Sequence, residues 1–332
     1  MIAGAAASAV LGLALALFLF TLVETRRIER RFPPVGELVE IGAGAIHVVE
    51  RAPQGRERGA ALLVHGASGN FADMSVALAD RLAALGFRVF SVDRPGHGWS
   101  ARLPSRASSP ERQAEALREA LARRGVARAI VVVHSLAGVV GLAMALNAPE
   151  FVRGLALLSP VSHPWPGGVA WYYTLAASRA LGPLFRRLVV LPAGLATMRA
   201  AVGAVFDPGP TPPDYVDRTR LPLVLRPLHF KANAEDVVDA EAYVAALCPR
   251  YGAISAPTAI VTGDRDGVVY AHIHSVGCAR DIPGATLTWL AGVGHSPHHS
   301  APESVVAAIL EVDARARRRE APASIGAASP PA

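Results

Sequence analysis

Cysteine is nearly missing from this sequence: Cys248 and Cys278 are the only two in 332 residues. They have no metal-ligand spacing, which excludes a thiolate metal site, and their context gives no case for a disulfide framework. Lysine is scarcer still, with Lys231 alone among 33 basic residues. That bias points to genome base composition rather than to function. Charged residues make up only 18% of the chain against 52% hydrophobic ones, a balance that fits a buried sheet with something more lipophilic attached. A net charge of +6 would suit nucleic acid. However, Arg26, Arg27, Arg30 and Arg31 follow an apolar segment, and Arg315, Arg317, Arg318 and Arg319 end the last predicted helix. Those two clusters hold the whole excess, and the near-neutral middle excludes a nucleic-acid surface.

Charge is absent altogether from Ile2 to Val23. At ~1.5 Å per residue a helix over this stretch is about 33 Å long, enough to cross a bilayer core. The basic leading region and small-residue cleavage site of a signal peptide are missing too, so residues 1–25 are predicted to be a retained single-pass transmembrane anchor. The arginines that follow put the next domain on the cytoplasmic side by the positive-inside rule. Residues 26–36, basic and then Pro-rich, read as a linker, and residues 315–332, rich in Ala, Pro and Ser, as a disordered tail.

Between these ends, apolar runs bounded by turns alternate with helical spacing. Strands are predicted at Glu37–Ile41 and Ala45–Arg51, joined at Gly42-Ala43-Gly44, then at Ala60–Val64, Phe87–Val92, Ile130–Val133 and Val152–Leu158. Helices are predicted over Phe71–Leu85, whose Met74, Leu78, Leu82 and Leu85 form one stripe, and from Ser109-Pro110 through Arg123. From His163 to about Ser255 the alternation stops, leaving apolar helical pieces separated by Pro and Gly. Trp165, Trp171, Tyr172, Tyr173, Leu184, Phe185 and Leu188 give that part an apolar, aromatic lining. The alternation resumes with a strand at Pro257–Thr262, a helix near Tyr270–Arg280, a strand at Ala285–Leu290 and a closing helix at Pro302–Val312. The pattern is that of an α/β fold with a mostly parallel sheet covered on both faces.

The stretch Ala129-Ile-Val-Val-Val-His-Ser-Leu-Ala-Gly-Val-Val-Gly141 organises the rest. A β-branched run ends abruptly at His134-Ser135, and Ala137, Gly138 and Gly141 let the following helix pack close to its strand. Ser135 is therefore predicted on a sharp strand-to-helix turn, hydroxyl raised, with a helix N-terminus beneath it. A serine hydroxyl needs a base within reach, and the base needs an acid to hold its tautomer. Gly263-Asp-Arg-Asp-Gly267 and Ala291-Gly-Val-Gly-His-Ser-Pro297 each follow a strand and offer both.

These motifs resemble the α/β-hydrolase superfamily over residues 37–313, and in particular cap-bearing bacterial hydrolases with a serine nucleophile. The resemblance implies an eight-stranded sheet built from residues 37–162 and 256–314, with residues 163–255 as a helical cap that begins at Ser162-His-Pro-Trp-Pro-Gly-Gly168. It implies Ser135 as nucleophile, Asp266 rather than Asp264 as the acid, and His295 as the base. The backbone N–H groups of Ala67 and Leu136 are implied as the oxyanion hole, with His65 structural. Asp93-Arg-Pro-Gly-His-Gly-Trp-Ser100 is implied to brace the sheet. Val133 stands where the family's elbow has glycine. His298 and His299 complete a His-x-x-His-His run, but no carboxylate or cysteine accompanies it at fixed spacing, so no metal and no cofactor is expected. The expected function is a membrane-anchored hydrolase that cleaves a small apolar acyl ester at a bacterial inner membrane. Val133 favours the alternative of a silent binding protein, and acyl transfer on the same residues stays open.

Overall fold

Eight short runs, most of them rich in β-branched and aliphatic residues, become the strands of one sheet in the computed structural model, which describes residues 2–320. They are β1 Glu37–Ile41, β2 Gly44–Arg51, β3 Gly59–Val64, β4 Phe87–Val92, β5 Ala129–His134, β6 Val152–Leu158, β7 Thr258–Gly263 and β8 Thr286–Leu290. Their order is β1-β2-β4-β3-β5-β6-β7-β8. β2 is antiparallel to both β1 and β4, and every other neighbour is parallel.

Parallel strands need both faces covered, because their crossover helices lie on the faces. Alternate residues accordingly enter two cores. Leu62, Val64, Val131 and Val133 point toward the helices Pro110–Arg123 and Ala137–Asn147. Leu63, Ile130 and Val132 point toward the helical run Phe71–Ala84 and the helix Pro302–Glu320. All of β5 is buried. Each of its valines gains about 1.5–3 kcal/mol from leaving water, which pins the strand end at Ser135.

The insertion after β6 is helical: Trp171–Ala177, then Gly182–Phe185 continuing through a π turn into Leu191–Phe206, then Pro227–Leu247, with shorter turns between. Gly182–Phe206 is long and apolar enough to cross a membrane by length and composition. Its Val190, Leu191, Met198, Val202 and Phe206 instead pack with Leu223, Val224 and Leu225 into a third core.

Two boundaries differ from the sequence-based expectation. The N-terminal helix runs unbroken over Ile2–Arg31, so the basic segment expected as linker is helical. Its stretch Gly4–Arg31 meets the length and composition needed to cross a membrane, but its far end docks on the insertion. Ile28 and Phe32 are buried in the third core, and Trp99 Nε1 donates to the Phe32 carbonyl at 3.1 Å. Residues 315–320, expected as tail, continue the closing helix. Asp313 is the reason: this buried carboxylate draws in Arg58, Arg153 and Arg317, at 2.6, 2.6 and 2.9 Å. The rest of the expected tail lies outside the described residues.

Candidate active site

The sharp turn read from His134-Ser135 is present, and it is strained. Ser135 takes φ +53°, a left-handed conformation that non-glycine residues rarely adopt. The turn is held by Ser135 N–H donating to Leu158 O at 2.9 Å and by Ser135 O accepting from Gly138 and Val161 at 2.8 and 2.9 Å. Strain of this kind costs on the order of 1–3 kcal/mol and persists only where the surroundings over-determine it. Val133, the departure from glycine at the elbow, is accommodated one turn along the next helix. A Cβ on Gly141 would lie 2.9 Å from both Val133 methyls, so the missing side chain is on the helix rather than on the strand.

Three loops at the C-terminal ends of β5, β7 and β8 bring the expected groups together. His295 Nε2 lies 2.8 Å from Ser135 Oγ, and His295 Nδ1 lies 2.8 Å from Asp266 Oδ2. Asp264 is not part of this array; it accepts from Gly292 N–H at 2.7 Å and holds the β8 loop. Burial raises the Asp266 carboxyl's affinity for its proton. The His295 imidazole and the N–H groups of Val268 and Val269 more than offset this, leaving its pKa below the ordinary aspartate value. Asp266 is thus a carboxylate near neutral pH, able to hold His295 with Nδ1 protonated and Nε2 free to accept the serine proton.

The loop after β3 approaches from the other side. A Cβ on Gly66 would lie 2.9 Å from the Ser135 Cβ, so only glycine lets Ala67 come this close. Among the described residues the N–H groups of Ala67 and Leu136 have no hydrogen-bond partner, as donors reserved for an oxyanion would. His65 is structural: its Nδ1 donates to Gly66 O at 2.9 Å, and its Nε2 accepts from Arg94 N–H at 3.0 Å. Burial first, and the Arg94 charge second, push its pKa down to about 4. The Asp93 turn braces the sheet at the end of β4. Its carboxylate accepts from Phe71 N–H at 2.7 Å and Trp99 N–H at 2.9 Å and lies 2.7 Å from His47 Nδ1.

Ser135 and His295 open into a cavity of about 620 Å³ beneath the helical insertion. Trp171, Tyr172, Tyr173 and Phe185 line it, as the composition of that segment suggested. Trp165, Leu184 and Leu188 do not: Trp165 packs against the main core and Leu184 faces outward. Met198, Val202, Leu225 and Phe230 complete the apolar wall, and their place in a lining is not legible from local pattern. Asn233, also unforeseen, ties the insertion to the β3 loop by accepting from Ser68 N–H at 2.6 Å. His298 and His299 lie on the short helix Pro297–Ser300 and turn inward. The carboxylate missing from their neighbourhood in sequence is Asp73, 225 residues before His298.

Known proteins share this architecture. The alpha/beta hydrolase fold family matches residues 62–302. The magnesium-chelatase 30 kDa subunit of Rhodobacter capsulatus is 30% identical over 258 residues, 75% of this chain and 85% of that protein. An uncharacterized protein of Mycobacterium tuberculosis is 29% identical over 258 residues, 73% of this chain and 72% of its own length. Among solved structures, a membrane phospholipase A described as a bacterial virulence factor superposes with TM-score 0.67 at 21% identity, over 94% of this chain and 96% of its own. The carboxylesterase CesB of Bacillus subtilis superposes with TM-score 0.66 at 18% identity, over 90% and 98%. At such identities these two structures establish the fold alone.

Proposed function

We propose a reaction for this chain, which belongs to the alpha/beta hydrolase fold family: hydrolysis of an apolar acyl ester through an acyl-enzyme on Ser135. Ser135 Oγ attacks the ester carbonyl while His295 Nε2 takes its proton. The carbonyl oxygen, now negative, is bound by the N–H groups of Ala67 and Leu136. His295 returns the proton to the departing alcohol as the ester bond breaks, draws one from a water that attacks the acyl-serine, and passes it to Ser135 Oγ as that bond breaks and the carboxylic acid leaves. Asp266 holds the imidazole in the productive tautomer and offsets its charge at each transfer. The observation that carries this reading is the unbroken run of 2.8 Å contacts from Ser135 through His295 to Asp266, with Ser135 on a strained turn.

The apolar cavity supports an acyl chain as the group bound. We further propose that Ile2–Val23 spans a bacterial inner membrane, with the domain on the cytoplasmic side as the following arginines favour. A tether beside a bilayer would raise the encounter rate with lipophilic esters. Each acyl methylene buried gains about 0.8 kcal/mol, a factor of about four. In a p-nitrophenyl ester series, kcat/KM should rise from acetyl through the medium chains and then level off, and Ser135→Ala should lose the activity. Equal rates on acetyl and octanoyl esters would sink the apolar-pocket claim, and full activity in Ser135→Ala would sink the mechanism.

A further inference from the structure

A second group of chemistry-bearing side chains meets behind the cavity wall, which Asp73 and His134 line, and has no part in the Ser135 array. Asp73, on the helical run after β3, lies between the two histidines of the turn Pro297–Ser300. His298 Nε2 is 3.2 Å from Asp73 Oδ2, and His299 Nε2 is 2.9 Å from Asp73 Oδ1. One ligand atom from each of the three falls within 4.8 Å of the other two.

His134 faces them and supplies the decisive observation. Its Nε2 lies 2.9 Å from the His295 carbonyl oxygen, which can only accept, so Nε2 carries the proton. Nδ1 therefore presents a bare lone pair. It lies 4.0 Å from Asp73 Oδ2, is buried, and has no hydrogen-bond partner among the described residues. A lone pair and a carboxylate oxygen facing one another at that distance leave room for a donor or a cation between them, and a cation would satisfy both at once. The N–H donated to a backbone carbonyl is also how metal-binding histidines are commonly oriented from behind. Tyr215 serves the carboxylate in the same way, its hydroxyl lying 2.9 Å from Asp73 Oδ1.

We propose that Asp73, His134, His298 and His299 form a binding site for a divalent transition ion of the zinc class. Three imidazole nitrogens and one carboxylate suit tetrahedral zinc, whereas calcium and magnesium take oxygen ligands. The ion would cross-link the helical run at Asp73 to the loop that carries His295, fixing the base relative to Ser135. The site is built from residues that the proposed hydrolysis does not use, so it stands or falls independently of that reaction.

The test uses the untagged full-length chain in detergent, stripped with a chelator and titrated with Zn²⁺ alone by calorimetry. Co²⁺ serves as the spectroscopic substitute. The expected result is one equivalent bound, an intense visible spectrum of tetrahedral Co²⁺, and a raised melting temperature. Asp73→Asn and, separately, His299→Gln should each weaken binding by more than the ~10–100-fold that loss of an outer-shell partner costs. Thermal melts without metal check that the variants fold, and His299→Gln, which keeps a donor to Asp73, is the milder of the two. Absence of stoichiometric binding to the wild-type chain would overturn the proposal, as would equal binding by both folded variants. An octahedral Co²⁺ spectrum would overturn the ligand set.

Discussion

Asp266 illustrates how one side chain's surroundings decide its role. Two aspartates share the turn after β7, and only one is buried against an imidazole. Asp264 accepts from a backbone N–H and stays at the surface, while Asp266 is held as a carboxylate by His295, Val268 and Val269. Asp266→Asn would keep the shape of the turn but favour the wrong imidazole tautomer, with Nε2 protonated and unable to accept from Ser135. The expected outcome is a fall in kcat of roughly 10³–10⁴-fold with little change in melting temperature. Steady-state kinetics on a medium-chain ester checks it, and Asp264→Asn is the control that should fall far less.

At the scale of elements, the N-terminal helix changes surroundings along its length: Val10, Leu11 and Leu13 are exposed, whereas Ile28 near its end is buried. Removing residues 1–25 should move the protein from the membrane to the soluble fraction and leave esterase activity largely intact. Extending the deletion through Phe32 should not be neutral, because Ile28 and Phe32 fill the core of the insertion. Phe32→Ala alone should cost about 3–5 kcal/mol there, read as faster proteolysis of the insertion and a lower melting temperature. The contrast shows what was legible in the sequence. Strands β4 and β6 match their predicted ranges, and the helix Pro110–Arg123 starts and ends where expected, with Ser109 as its cap, because local period and cap chemistry dictate both. The candidate triad was legible because each member follows a strand in a recognisable turn. Asp73, Asn233 and the docking of Ile28 were not legible. Each depends on a partner more than 150 residues away, and nothing in the local pattern of a buried aspartate names the histidines it will meet.

For the whole molecule, buried neutral histidines link stability to pH. Burial and Arg94 hold His65 down to about 4, and burial and His163 do the same for His274. An unfolded chain protonates both near the ordinary histidine value of ~6.5, so between that pH and about 4 the unfolded state binds more protons. Stability is therefore full above ~6.5 and falls as pH drops toward 4, by on the order of 3 kcal/mol for fully buried His65. Urea midpoints across this window check the slope, and a flat profile would contradict the buried, neutral state. Under the proposed mechanism, one serine among many is made nucleophilic by His295 and Asp266. A fluorophosphonate probe reports this directly, since it reacts only with an activated serine. Incubated with the full-length protein and mapped by mass spectrometry, it should modify Ser135 alone, and His295→Ala should abolish the adduct. An unlabelled Ser135 in folded protein, or labelling that survives in His295→Ala, would contradict the account.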